Sequence, residues 1–446
     1  MYKPLILIAR LLVVACLASC AATDSQQSRG GAVDGIAGAQ EIPRGLPEDV
    51  GLLPAGLLRM DELIESYIDE GRVPGVVVGI AKQGRVVYLR AHGMLEPSTG
   101  TPMPEDAIFI MASSAKPVTG VAALILVDEG LIRLDDPVSK YIPEYQGLQF
   151  VVPVETSGEN KKTGNKKKAG NRKSAGKREI PDYRLEPVIE PLTIHHLLTH
   201  TAGVGTQRGL GAVISKDRAG PSDTLATWVP RMAKRPLDFE PGTLRAYSPG
   251  SGLKIVGRVI EIVSGMPLTE FIQARILDPL DMTDSYFDVP EDELYRMPSR
   301  FHDKARGTGQ LVGPDGSAFV SGGGLVSTTR DYLRFQQMLL NGGSLYGQRI
   351  LEPETVQLMT TNRIGDLSLT AAKGGLGTGH GYTTSVSLDQ EKAWSGRING
   401  SYGWGGAGGT VSWSTPSKDL TVVYMVQQPS DLPRKITPLI QDALID

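Results

Sequence analysis

Ser-x-x-Lys occurs three times in this 446-residue chain, at Ser113/Lys116, Ser174/Lys177 and Ser251/Lys254. The pair has one chemical use above others. A serine hydroxyl is a poor nucleophile until a base takes its proton. A lysine, with an ordinary pKa of about 10.4, becomes that base only where burial or a neighbouring cation lowers its pKa by roughly 2–3 units. On a helix, residues three apart share a face, so the surroundings must choose among the pairs. Ser174 lies in ENKKTGNKKKAGNRKSAGKRE, residues 159–179, where almost nothing apolar is present to fix its geometry. Ser251 sits in the turn PGSG and opens a helix, a position serines take as caps. Ser113 is delivered by the apolar run AIFIMA, and Pro117 is tolerated only in the first turn of a helix, so a helix begins around Ser113. Its positive dipole end favours a developing alkoxide, and the following VAALILV predicts a buried Lys116.

Other chemistries fit less well. Gly-x-Ser-x-Gly is absent, against a nucleophile elbow. His196 and His200 are spaced four apart as zinc ligands often are, but no Glu follows His196 and no third ligand is evident. They are expected to be hydrogen-bonded structural histidines. GWGGAGG at 403–409 lacks the Lys-Ser/Thr of a phosphate loop. No metal or cofactor is expected.

The elements that must position Ser113 follow from periodicity. DELIESYIDE at 61–70 is helical, and VVVGIA and RVVYLRA, joined by Lys82-Gln83-Gly84, form a hairpin. A helix runs over 114–130 and closes at Gly130; TIHHLLTHTAG is helical with Thr193 as N-cap and Gly203 past its end; SGLKIVGRVIEIVSGM is another helix. Gly409–Ser414 and Leu420–Val426 read as strands around the turn TPSKD. Strands at both ends and helices between predict an α/β fold: one antiparallel sheet built from the two termini, flanked by helices, with an inserted helical lobe and the site in the cleft.

Composition bounds the partners. With 40% apolar residues and a net charge of −3, the chain can bury a large core and gives no general reason to expect nucleic-acid binding. Both cysteines, Cys16 and Cys20, lie in the first twenty residues. There Lys3 and Arg10 accompany an apolar stretch, Leu11–Ala18, too short to span a bilayer. Leu17-Ala18-Ser19-Cys20 resembles a lipobox, so residues 1–20 read as a lipoprotein signal peptide and Cys20 as the lipidated residue. An ordinary signal cut nearby is the alternative. The reading predicts an exported bacterial lipoprotein anchored to the cell envelope, on the periplasmic side of the outer membrane. Residues 21–50 are expected to be a tether, and 51–446 a hydrolase domain with a disordered basic insertion at about 155–180, either a solvated loop or an anchor for anionic polymer or headgroups.

Several long runs together resemble one family: VPGVVVGIAKQGRVVYLRAHG, FIMASSAKPVTGVAALILVDEG, LTIHHLLTHTAGV, VGRVIEIVSGMPLTEF, SGGGLVSTTRDYLRFQQMLLNGG and YGWGGAGGTVSW. They resemble the serine β-lactamase and penicillin-binding-protein superfamily, within it most closely the family VIII carboxylesterases. The resemblance implies Ser113 as acylated nucleophile, Lys116 as its base and Tyr247, in RAYSPGSG, as proton relay. Pro249 stands where the family's second motif carries Asn, and Trp404-Gly405-Gly406 where most β-lactamases carry Lys-Thr-Gly. It also implies an oxyanion hole from the backbone N–H groups of Ser113 and Ala407, with Trp404, Gly405 and Gly406 against substrate. The substrate is then a small ester or a peptide-like molecule. Three readings follow: a carboxylesterase on short-acyl esters, an amide hydrolase on D-amino-acid peptides or β-lactams, or a non-catalytic binding module on the same fold.

Overall fold

The computed structural model describes residues 41–154, 180–298 apart from 208, 216 and 221, 324–370, and 375–445. Its main sheet has eight strands in the order Thr378–His380, Ser385–Ser387, Tyr402–Gly405, Val411–Thr415, Leu420–Met425, Gly75–Lys82, Arg85–Glu96 and Thr101–Pro102. The C-terminal meander therefore joins the N-terminal hairpin where Gly75–Lys82 pairs antiparallel with Leu420–Met425, Val77 opposite Met425. Both central strands are buried along their whole length. Their alternation divides the core. Val76, Val78 and Ile80 face the helices Pro54–Asp69 and Leu432–Asp442. Val77, Ala81, Val423 and Met425 face the larger core, which contains the helices Lys116–Asp128 and Thr329–Leu340. The expected fold class is the one observed.

The elements near the site lie close to their expected places. Thr193 caps the Ile194–Leu198 helix, its hydroxyl accepting from the His196 N–H. That helix is shorter than its apolar pattern suggests and stops well before Gly203. The Ser251–Ser264 helix starts at the predicted position, but Ser251 is not its cap. Gly250 is the N-cap residue, and the Ser248 hydroxyl accepts the Gly252 N–H at 3.0 Å. The reason is positional: Ser251 already lies inside the first turn, so its side chain points back along the helix rather than over its end.

Residues 41–50, the end of the expected tether over 21–50, are held against the hairpin. Ile42 and Val50 are buried, and the Gly45 N–H bonds to the Val86 carbonyl on the hairpin. Two apolar side chains are enough to hold a Gly/Pro-rich stretch against the sheet edge. Residues 1–40, including Cys20, lie outside the described residues, as does the basic run 159–179. The chain on either side of that run pairs as the antiparallel strands Gln149–Pro153 and Tyr183–Pro187.

Apolar burial and one close approach hold the site-bearing helix. The Lys116–Asp128 helix buries Val118, Val121, Leu124, Ile125 and Leu126, each contributing roughly 1.5–3 kcal/mol of transfer free energy. A Cβ on Gly120 would come within 2.1 Å of the Thr383 hydroxyl. Thr383 cannot retreat easily, since its N–H bonds the Leu198 carbonyl and its own φ is +60°. Gly120→Ala is therefore expected to lower stability by about 1–3 kcal/mol through overpacking, read as a shift of the urea midpoint at constant slope. An unchanged midpoint would show that the Thr383 loop yields without cost.

Candidate active site

Ser113 is placed by a strand, one strained residue and a tight turn. Phe109–Ile110 pairs with Val326–Ser327, and the Met111 N–H bonds the Leu325 carbonyl at 3.0 Å. Ala112 then takes φ +47°, which is uncommon for a residue with a side chain and reverses the chain direction. A 3-10 turn, Ala112–Ala115, runs directly into the Lys116–Asp128 helix, with Pro117 in its first turn. In 3-10 geometry residues i and i+3 eclipse, so Lys116 lies over Ser113. The Lys116 ammonium donates to Ser113 Oγ at 3.1 Å and to the Pro249 carbonyl at 2.7 Å.

The turn is tied to the C-terminal strands. Ser114 Oγ meets Thr410 Oγ1 at 2.9 Å, Thr410 Oγ1 donates to the Met111 carbonyl at 3.2 Å, and the Tyr332 hydroxyl donates to the Ser114 carbonyl at 2.5 Å. Gly406 makes this approach possible: a Cβ there would lie 2.4 Å from the Met111 carbonyl oxygen. The Gly406 N–H bonds the Thr410 carbonyl and the Gly409 N–H bonds the Gly406 carbonyl, so Ala407 is held on an exposed turn beside Ser113's segment.

The third contributor comes from the helical lobe. Tyr247 donates its hydroxyl to Ser113 Oγ at 2.8 Å. The Ser113 oxygen thus sits between an amine and a phenol drawn from separate parts of the chain. The Pro249 side chain offers no amide, but its carbonyl anchors Lys116.

Burial sets the charge states. Lys116 is fully buried, and desolvation, with the like charge of Lys254 second, lowers its pKa to about 8. Lys254 belongs to the third Ser-x-x-Lys pair, which therefore acts on the site through its charge and not through its serine. Burial raises the Tyr247 phenol; its hydrogen bonds with Ser113 and Trp404 and the charge of Arg245 pull the other way.

Three residues that sequence reasoning did not place here lie around the site. His200 packs edge-on to Tyr247 at 4.9 Å and stacks on Trp404 at 5.8 Å; His380 meets Trp404 edge-on at 5.3 Å. The Arg245 guanidinium bonds to His380 Nε2. The expectation of two hydrogen-bonded structural histidines holds for His196 alone, whose Nδ1 lies 3.2 Å from the Thr193 N–H. Both ring nitrogens of His200 lack a partner among the described residues. The helix ends at Leu198 and His200 has φ +60°, so the two imidazoles do not share a face. No group of three or more His, Cys, Asp or Glu among the described residues could hold a metal ion. Burial lowers the His200 pKa to about 3 and His380 well below its ordinary value, so both are neutral at pH 7. No spacing rule points to His380 or Arg245, which reach the site only through tertiary packing.

Comparison with known proteins places this geometry. The beta-lactamase family model matches residues 60–445. The chain belongs to the beta-lactamase family. It is similar to esterase EstB of Burkholderia gladioli, 31% identical over 80% of this chain and 86% of EstB. It is also similar to lovastatin esterase of Penicillium rubens, 30% identical over 81% of this chain and 90% of that one. Among solved structures, EstCE1, described as a hydrolase with promiscuous acyltransferase activity, superposes with a TM-score of 0.66 over 87% of this chain and 98% of its own, at 23% identity. This beta-lactamase-family chain is an enzyme, a serine hydrolase.

The buried lysine ties stability to pH with a definite sign. Its folded pKa lies below its unfolded one, so between about 8 and the ordinary lysine value the unfolded chain binds more protons, and stability rises with pH there. Lys116→Met lacks this dependence. Its stability advantage over the natural chain should shrink by about 2–3 kcal/mol between pH 7 and 10, measured by urea unfolding at each pH. A gap that stays constant would mean that Lys116 keeps an ordinary pKa.

Proposed function

We propose that this enzyme is a carboxylesterase on small, neutral, short-acyl esters, with Ser113 as nucleophile. The neutral amine of Lys116 takes the Ser113 proton, and Oγ attacks the ester carbonyl. The tetrahedral oxyanion is received by the backbone N–H groups of Ser113 and Ala407. The C–O bond to the alcohol breaks, and the departing alkoxide takes the Tyr247 proton, which the Lys116 ammonium replaces. Water then attacks the acyl-enzyme by the same proton path in reverse and releases the acid.

The observation that carries the ester reading is that the rings lining the wall beside Ser113, in front of Arg245, are uncharged. Trp404, His200 and His380 form that wall, both imidazoles are held neutral by burial, and Trp404 offers an apolar face with one N–H donor. A β-lactam carries a carboxylate near its reacting carbonyl and gains little from such a wall. The relatives named as esterases agree with this reading. A putative D-alanyl-D-alanine carboxypeptidase of Escherichia coli, 26% identical over 86% of this chain, keeps an amide substrate as the second reading.

A charge-assisted hydrogen bond contributes about 1.5–3 kcal/mol, or roughly 10- to 150-fold in binding. On that scale kcat/KM for p-nitrophenyl butyrate should exceed that for nitrocefin by at least about a hundredfold. Trp404→Lys should narrow the ratio, and Ser113→Ala should abolish both activities while Ser251→Ala does not. Faster opening of nitrocefin than of the butyrate ester would sink the ester reading and favour the amide hydrolase.

The lipobox at Leu17–Cys20 supports an exported, lipid-anchored form of the enzyme. No helix among the described residues is long and apolar enough to cross a membrane. Cys20→Ala is expected to move the protein from the membrane fraction to the soluble fraction; a natural chain already found in the soluble fraction would count against lipidation.

A further inference from the structure

The proton path above leaves Arg245 without a task, and its surroundings are unusual. Its only hydrogen bond among the described residues is to His380 Nε2, and its Nε, buried, has no partner. No carboxylate there pairs with it. Buried guanidinium groups are normally paired, because an unpaired one is costly. His380 accepts from Arg245 as a neutral imidazole, so Arg245 is held in place by a group that does not cancel its charge. Burial lowers the guanidinium pKa only to about 10, so it stays charged at neutral pH.

That charge sits two residues before Tyr247 in the same loop and favours the ionised form of its phenol. The groups around Tyr247 come from three parts of the chain. Lys116 Nζ lies 5.5 Å from the ring centroid, His200 packs edge-on at 4.9 Å, Trp404 is tilted at 5.8 Å, and Ser113 Oγ accepts the phenol proton. The imidazole is neutral and the indole has no charge. Lys254, on the helix behind, acts on Lys116. The two cations bearing on the phenol are thus Lys116 and Arg245, and no carboxylate acts on it. Lys116 gains its positive charge when it takes the Ser113 proton and gives it up when it returns that proton to the phenolate. Arg245 keeps its own throughout. A neutral phenol gains little from a fixed cation, whereas a phenolate gains directly.

We propose that Arg245, held by His380, is a positioning residue that stabilises the phenolate Tyr247 becomes when it hands its proton to the departing alcohol. The inference rests on the reading of Ser113 as nucleophile and Tyr247 as relay. In the step concerned, the carbon–oxygen bond of the tetrahedral adduct breaks, the alkoxide takes the phenolic proton, and the phenolate takes back the proton that Lys116 acquired from Ser113. The demand on Arg245 depends on the leaving group. An alkyl alkoxide must be protonated as it leaves; p-nitrophenolate leaves without a proton.

The test is the leaving-group dependence of acylation. kcat/KM would be measured for ethyl butyrate and p-nitrophenyl butyrate in the natural enzyme, Arg245→Met, Arg245→Gln and Arg245→Lys, with Ser113→Ala as control. In the Met and Gln variants the p-nitrophenyl-to-ethyl ratio should rise by about tenfold, the effect of about one pKa unit on the relay. Arg245→Lys keeps the charge and should return the ratio most of the way. A purely structural role would depress both esters by the same factor. An unchanged ratio in Met and Gln variants, or a Lys variant no better than Met, would overturn the inference. Should Arg245→Met fail to fold, the Gln and Lys variants still decide it. Turnover of either ester by Ser113→Ala would instead remove the reading beneath it.

Discussion

The site depends on one costly placement, an amine put out of reach of water beside a serine. Lys116 is fully buried, and every neighbouring element either permits that burial or limits its cost. The helix it opens is apolar for most of its length, so the ammonium cannot escape to solvent by a small movement. The Pro249 carbonyl and the Ser113 hydroxyl are the two acceptors that hold it. Neither carries a negative charge. A carboxylate in either position would stabilise the ammonium and remove its ability to act as a base near neutral pH. The pairing of a buried lysine with neutral acceptors is what leaves part of the amine unprotonated near neutral pH and able to accept a proton.

The same rule governs the other side of Ser113. Tyr247, Trp404, His200 and His380 form a wall of rings without a carboxylate among them, and the imidazoles are neutral because burial makes their charged forms expensive. The charge nearest these rings is that of Arg245, behind His380. Electrostatics in the site thus comes from cations set at different depths around one oxygen: Lys116 in contact, Lys254 and Arg245 further out. Such an arrangement favours anions that exist only transiently, an alkoxide, an oxyanion or a phenolate, over the neutral ground state.

Three distant segments must meet within hydrogen-bond reach for this to work. The sheet brings the first and third together by pairing the C-terminal strand Leu420–Met425 with Gly75–Lys82. The seam then closes where Gly406 lets the Trp404–Ala407 turn approach the Met111 carbonyl. The helical lobe supplies Tyr247, with Ser248 capping the helix that follows and Pro249 reaching Lys116 through its backbone. Tyr247 and the acceptor of Lys116 are therefore mechanically linked: shifting the Ser251–Ser264 helix would move both together.

How much of this was legible in the sequence follows from the range of each interaction. Ser113 and Lys116 could be selected because their constraint is local: an apolar strand, a proline that fixes a helix start, and three-residue spacing act within a dozen residues. The hairpin, the terminal strands and the fold class were legible for the same reason, being written in periodicities of two and 3.6. Tyr247, Trp404, Gly405, Gly406 and Ala407 were placed by family resemblance, since nothing local marks a tyrosine or a glycine turn as part of a site. The rest of the wall was not legible at all. His200 reads as the second member of a helical pair, and only the end of the helix at Leu198, followed by a left-handed residue, turns it towards Trp404. Arg245 and His380 are 135 residues apart, and their contact exists because the sheet edge and the loop before Tyr247 pack together. Sequence alone determined which side chains could carry the chemistry and which periodic elements would hold them. Tertiary structure decided their protonation states and their unpaired charges, because desolvation depends on what surrounds a group in space and not on its neighbours along the chain.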